Sequence, residues 1–120
     1  MRELARLFKA LSDETRLRIL GLIMRYGPVC VCEVEALLGI TQSKASRHLR
    51  YLRDAGILRD VREGGTVNYG FHPGADATTV AVLRVVGEVL PAEATPDRVA
   101  RLAQMRVERA QAAAPATNVR

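Results

Sequence analysis

Residues 40–56 read ITQSKASRHLRYLRDAG, and the placement of that stretch decides the rest of the chain. Thr41 is a side-chain acceptor directly ahead of a helical period, the place of an N-cap. Ala45, Leu49 and Leu52 recur at helical spacing and predict a buried stripe. Gly56 is placed to take the left-handed conformation that ends the helix. At about 100° per residue, Ser43, Arg47 and Arg50 lie nearly opposite the stripe. Lys44 and Tyr51 fall on one shoulder and Ser46 on the other, and Gln42 projects from the N-terminal end. His48 sits at the edge of the buried side, where packing or hydrogen bonding suits it better than an outward role.

Just upstream, Val34, Leu37 and Leu38 predict a short helix closed by Gly39. Two short helices joined by a tight glycine-containing turn form a helix-turn-helix, expected over 32–55. Immediately downstream, ILRDVREGGTVNYGF places two β-leaning runs around Glu63-Gly64-Gly65, a hairpin over 57–72. The sum is a mostly α chain with a small β-hairpin wing: a winged helix-turn-helix.

The flanks read as helices. Leu4, Leu7, Phe8 and Leu11 give a first one. Ser12 is the expected N-cap of a second, with Asp13 and Glu14 in its first turn, running to about Tyr26 and stopped by Gly27-Pro28. Beyond His72-Pro73-Gly74, Val82, Val85, Val86 and Val89 keep a helical period, although so many valines leave a strand open. Pro91 ends that segment, and Thr95-Pro96 starts a last helix in the preferred cap-then-proline order. There Ala100, Ala103, Val107 and Ala110 make a narrow stripe suited to close helix packing. The expected organisation is one domain over 1–111, with C-terminal helices over 78–111 and a disordered tail over 112–120.

The 120-residue chain has a formal charge of +5 and is 48% hydrophobic but only 4% aromatic, enough for one modest aliphatic core. The positive balance favours anionic partners, nucleic acid before membrane. On the fourth helix, Gln42, Ser43, Lys44, Ser46, Arg47 and Arg50 are the candidate DNA-binding residues. Glutamine pairs bidentately with adenine, arginine with guanine, and serine with base or phosphate. Arg62, with Arg53 and Arg59, would carry phosphate contacts onto the wing. The bland alternative is a solvated helix face. No apolar run is long enough to span a bilayer. Met1 runs directly into the charged RELARLFKAL, so no secretory leader is expected and the compartment expected is the reducing cytoplasm. Both histidines lack a nucleophile–acid arrangement, and no enzyme activity or permanent cofactor is expected.

The two cysteines, Cys30 and Cys32, lie in PVCVCEVEALLG at the entry to the third helix. Residues two apart point about 200° from each other in a helix but share a face when extended. The pair grips one small ion only if residues 29–32 are extended or unwound, which Pro28 allows. Such thiolates suit soft metalloids, and a helix N-terminus favours the thiolate form. Zinc wants four ligands, and the chain offers no clear third and fourth. The cysteines are otherwise small buried hydrophobes, or an oxidation sensor, although a disulfide two residues apart is strained. A small thiol-disulfide oxidoreductase would want Cys-x-x-Cys in a βαβ setting, which is absent.

TQSKASRHLRYLRDAGILRDVREGGTVNYGFHP closely resembles the helix-turn-helix and wing of the arsenic-repressor (ArsR/SmtB-type) regulators, and LSDETRLRIL resembles their preceding helix. The likeness covers roughly residues 3–73. It implies a homodimeric repressor, paired through its first and last helices, that binds a two-fold symmetric double-stranded operator and leaves it when a metal or metalloid is sensed. The Ala100–Ala110 stripe and the face of Leu4, Leu7 and Leu11 would serve that pairing. The resemblance makes Cys30 and Cys32 the metal site, with trivalent arsenic or antimony as inducer. The family's arsenic pattern has a third cysteine where this chain has Glu35. Its zinc site on the later helices is not expected, since no histidine follows His72.

Overall fold

The computed structural model describes residues 1–90 and 96–113. Its elements run α1 (Arg2–Leu11), α2 (Glu14–Tyr26), β1 (Val29–Cys30), α3 (Val31–Leu38), α4 (Gln42–Asp54), β2 (Leu58–Glu63), β3 (Thr66–Phe71), α5 (Ala77–Val89) and α6 (Pro96–Ala113). The winged helix-turn-helix is present as expected, with α3 and α4 as its two helices and β2–β3 as the wing. The strands form an antiparallel sheet in the order β1-β3-β2. Gly64 and Gly65 close the hairpin with φ of 57° and 84°, the left-handed pair that a two-residue turn needs to match strand twist.

β1 was not foreseen. It is only two residues long and pairs Val29 with Tyr69 and Cys30 with Asn68. A run that short carries no periodicity; its strand character comes from the β3 edge beside it.

Aliphatic side chains fill the core. Ile19, Leu20 and Leu22 of α2 meet Val34 and Leu37 of α3, Leu49 and Leu52 of α4, and Ile57 and Leu58 at the wing's base. Thr41 caps α4 by accepting from the Lys44 N–H at 3.1 Å, and Gly56 is left-handed at φ 80°. His48 is buried beside Arg16, with Nη1 to Nδ1 at 3.4 Å.

Two expectations need correction. The N-cap of α2 is Asp13, whose Oδ1 accepts from the Arg16 N–H at 2.9 Å. Ser12 closes α1 instead, its hydroxyl donating to the Lys9 carbonyl at 2.7 Å. A hydroxyl can feed the orphan carbonyls at a helix end, whereas a carboxylate only accepts and so suits the next helix's free N–H groups. Second, Leu7 and Leu11 are buried in this chain's own core, so the Leu4–Leu7–Leu11 face is not a free surface. Phe8 points out instead, 53% exposed.

The valine-rich segment is a helix, α5, capped by Asp76 on the Thr79 N–H at 2.8 Å. α6 extends through Ala113, two residues into the expected tail. Thr95 and residues 114–120 lie outside the described residues.

Candidate functional site: a basic helix face and a thiol pair

The exposed side of α4 is polar and basic. Gln42, Ser43, Lys44, Arg47 and Arg50 are exposed and Ser46 is half-buried. Arg50 Nε leans back on the Ser46 carbonyl at 3.4 Å. Arg59 and Arg62 stand exposed on β2. Arg53 is committed elsewhere: it contacts Asp54 at 3.2 Å and Asp60 at 3.6 Å, which takes it out of the free basic surface. α4 itself packs against β2 of the wing.

The helix is held from behind by a residue that the sequence pattern did not single out. Arg16 donates from Nε to the Ala10 carbonyl at 2.7 Å and from Nη2 to the Lys9 carbonyl at 3.1 Å. Its guanidinium also stacks on Tyr51, 4.1 Å from the ring centroid. One side chain thus ties the end of α1 to α2 and α4.

Cys30 occupies the N-cap of α3 in extended conformation, φ −96° and ψ 167°. Cys32 is in the first helical turn. Of the 29–32 stretch expected to be extended, Val29 and Cys30 are, held so by the pairing of β1 with β3, whereas Val31 and Cys32 already belong to α3. Cys30 is buried and Cys32 exposed.

Both sulfurs face one guanidinium nitrogen. Arg109 Nη2, from α6, lies 3.2 Å from Cys30 Sγ and 3.8 Å from Cys32 Sγ. The same nitrogen donates to Glu33 Oε2 at 2.9 Å. Glu33 is fully buried, and its carboxylate is the hub of the site. Oε1 accepts from the Cys30 N–H at 3.1 Å, and Oε2 also takes Arg106 Nε at 3.0 Å. This is a capping box with a cysteine where serine or threonine usually stands. Arg106 continues to the Tyr26 and Pro28 carbonyls, both at 3.2 Å.

Burial works against the Glu33 charge, but the hydrogen bonds from Arg106, the Cys30 N–H and Arg109 outweigh it and hold the carboxyl below its ordinary value. Burial also works against Arg109, and Glu33 more than offsets it, so its proton is held more tightly than usual. Cys30 goes the other way. Burial, the hydrogen bond with Cys32 and the neighbouring Glu33 push its thiol up to about 12. The helix-start preference for thiolate, expected from sequence, is overridden there by desolvation.

Glu33, Arg106 and Arg109 were missed by the sequence reading. A Glu at the third helical position after a cap is a legible signal for the first of them. Nothing local marks the arginines, which arrive from more than 70 residues away. Among the described residues, no cluster of three or more His, Cys, Asp or Glu side chains could hold a metal ion, so Glu35 does not complete a third ligand. Nor, among them, is any helix long and apolar enough to cross a membrane.

The sequence model described as "Bacterial regulatory protein, arsR family" matches residues 13–60. The arsenic resistance transcriptional regulator ArsR1 of Pseudomonas putida is 45% identical over 98 residues, 82% of this chain and 76% of that protein. Among solved structures, the AntR antimony-specific transcriptional repressor is 34% identical with a TM-score of 0.57, over 69% of this chain and 72% of its own. The homodimeric winged helix-turn-helix DNA-binding domain of Mb0332 from Mycobacterium bovis is 28% identical with a TM-score of 0.62, over 73% and 78%.

Proposed function

This chain belongs to the arsR family of bacterial regulatory proteins, and we propose that it is a cytoplasmic homodimeric repressor that leaves its operator when trivalent arsenic or antimony bridges Cys30 and Cys32. It is a transcription regulator and not an enzyme. The observation that carries the inducer assignment is the common nitrogen contacted by both sulfurs: Arg109 Nη2 touches the two from one side, so a single small atom has access to both.

The chemistry of the ligand fits a buried thiol. Arsenite carries three hydroxyls. As each As–S bond forms, the S–H proton leaves with one arsenic hydroxyl as water. Two such steps consume both thiols, release two waters, keep arsenic trivalent and leave one hydroxyl on it, and no proton goes to solvent. A divalent cation brings no leaving group of this kind and must expel the thiol protons. The two-thiol set with an arginine beside it also lacks the four donors zinc wants.

Loading draws the two sulfurs together at the start of α3. α3 packs on α4 across the Gly39–Thr41 turn, where Gly39 is left-handed at φ 68°. A shift of α3 therefore moves α4 in each subunit, and half-sites about one DNA turn apart no longer fit both helices. Gln42, Ser43, Lys44, Ser46, Arg47 and Arg50 read or grip the major groove, and Arg62 holds backbone phosphate. The partner subunit is a second copy. Ala100, Ala103, Val107 and Ala110 are all exposed on α6, and on α5 Val85 and Val89 are 61% and 75% exposed.

The test is operator release by wild type, Cys30→Ser and Cys32→Ser, titrated with arsenite, a methylated trivalent arsenical, antimonite, zinc, cadmium and peroxide. Release of wild type by the trivalent metalloids, lost in both variants, is the expected outcome. Release by peroxide alone would give the thiols to oxidation sensing instead.

A further inference from the structure

We infer that Arg109 couples the thiol seat to the last helix, and that a bound metalloid acts by displacing it. This rests on the proposed metalloid site. Arg109 Nη2 lies against both sulfurs and holds Glu33 Oε2 at 2.9 Å. Cys30 is buried at the junction of β1 and α3, and the nitrogen stands where both sulfurs are within its reach, the place a bridging atom would take. An arsenic bonded to both sulfurs has to stand within bonding distance of each, in the space the guanidinium now fills. The two cannot share it. Arsenic bonded to sulfur is electron-poor, and a guanidinium has only donors to offer it. Arg109 must therefore retract on loading.

What retraction does follows from where Arg109 sits. α6 is fastened to the start of α3 by two arginines one turn apart, both on the Glu33 carboxylate. Arg106 has further anchors in the Tyr26 and Pro28 carbonyls, while among the described residues the other hydrogen-bonding contacts of Arg109 are the two sulfurs themselves. Loading leaves the Arg106 fastening intact and frees the turn beyond it. That turn carries Val107 and Ala110, whose side chains are exposed on the face offered to the second subunit. The inducer thus has two outputs. One runs through α3 to α4 within a subunit, and the other through Arg109 to the α6 pairing surface, which sets the spacing of the two α4 helices.

Arg109 is on this account a positioning residue: the thiols hold the arsenic and Arg109 reports it. The test uses full-length wild type and Arg109→Met, with two separate readouts. Native mass spectrometry counts arsenic per chain after arsenite loading, and fluorescence anisotropy gives operator affinity before and after. Wild type should bind one arsenic per chain and lose operator affinity by about 5- to 150-fold, the usual span of allosteric coupling. Arg109→Met should still bind one arsenic. Its operator affinity before loading should already fall toward that of the loaded wild type, and arsenite should then change it by less than about threefold. If Arg109→Met does not fold, Arg109→Gln is judged by the same two numbers, since it stays polar at the protein surface but is too short to place a nitrogen against the sulfurs. A wild-type unloaded affinity and a full arsenite response in the variant would overturn the coupling alone. A wild type that binds no arsenic, or binds it equally after both cysteines are replaced by serine, would overturn the thiol site and the coupling with it.

Discussion

Glu33 shows how much one side chain organises. It caps α3 through the Cys30 N–H and receives Arg106 and Arg109 from α6. Glu33→Ala strands two guanidinium groups, each about a third exposed, so the loss is discounted from the fully buried case to about 2–3 kcal/mol of unfolding free energy. Urea denaturation checks it. Its depressed pKa means that the carboxylate's contribution is present above the unfolded value and is lost as pH falls through the folded one. His48 titrates at higher pH but with the same sign. Burial, with Arg16, Arg47 and Lys44 nearby, lowers its pKa despite the pull of Asp13. The neutral ring is the folded form, so stability is full above about 6.5, the ordinary histidine value, and declines as pH falls below it. Wild type should lose stability between pH 7 and 5 in urea titrations, and His48→Gln should flatten that slope. At this scale the sequence was readable wherever a residue's role is local. Thr41, Gly56 and His48 were placed correctly from their neighbours alone. Ser12 and Asp13 were not separated, because both are competent caps and only the demand of the preceding helix's carbonyls decides between them.

Among elements, the recognition helix was the most legible, since its cap, stripe and terminator agree. β1 was invisible because two residues cannot show a period and the strand is made by its neighbour. The clamp of α6 on α3 was hidden for a related reason, its contacts being far apart in sequence. The proposed division of labour along α4 and the wing gives a prediction at this level. Arg47 is exposed on the outward face of α4, and Arg62 on the wing. Arg47→Ala should weaken specific operator binding by about 1–3 kcal/mol and relax sequence preference. Arg62→Ala should weaken binding to all sequences alike and lower the salt dependence by roughly one counterion. Anisotropy titrations at several salt concentrations separate the two, and equal sequence-independent losses from both would remove Arg47 from base reading.

For the whole molecule, the proposed second copy would cover the exposed apolar residues of α5 and α6. The small-residue stripe on α6, expected to pack against another helix, lies exposed in the single chain, and the proposed pairing puts it between subunits. On α1 the residues were misjudged and not the helix: the periodicity of Leu4, Leu7 and Leu11 says that a face is buried but not against what, and Leu7 and Leu11 serve this chain's own core. Ala103→Glu places a charge in the middle of the α6 stripe without touching this chain's own core. It should shift the protein to monomer at micromolar concentration in sedimentation velocity and cost most of the operator affinity, while the monomer's helical content stays near that of wild type.

The central claim is that one trivalent metalloid is held by two sulfurs standing at the start of the helix that supports α4. X-ray absorption at the arsenic edge on the arsenite-loaded dimer addresses it directly. A shell of two sulfurs and one oxygen per arsenic is predicted in wild type, with the two-sulfur shell abolished in both Cys30→Ser and Cys32→Ser. An arsenic surrounded by oxygen alone, or a two-sulfur shell that survives in either variant, would contradict the account.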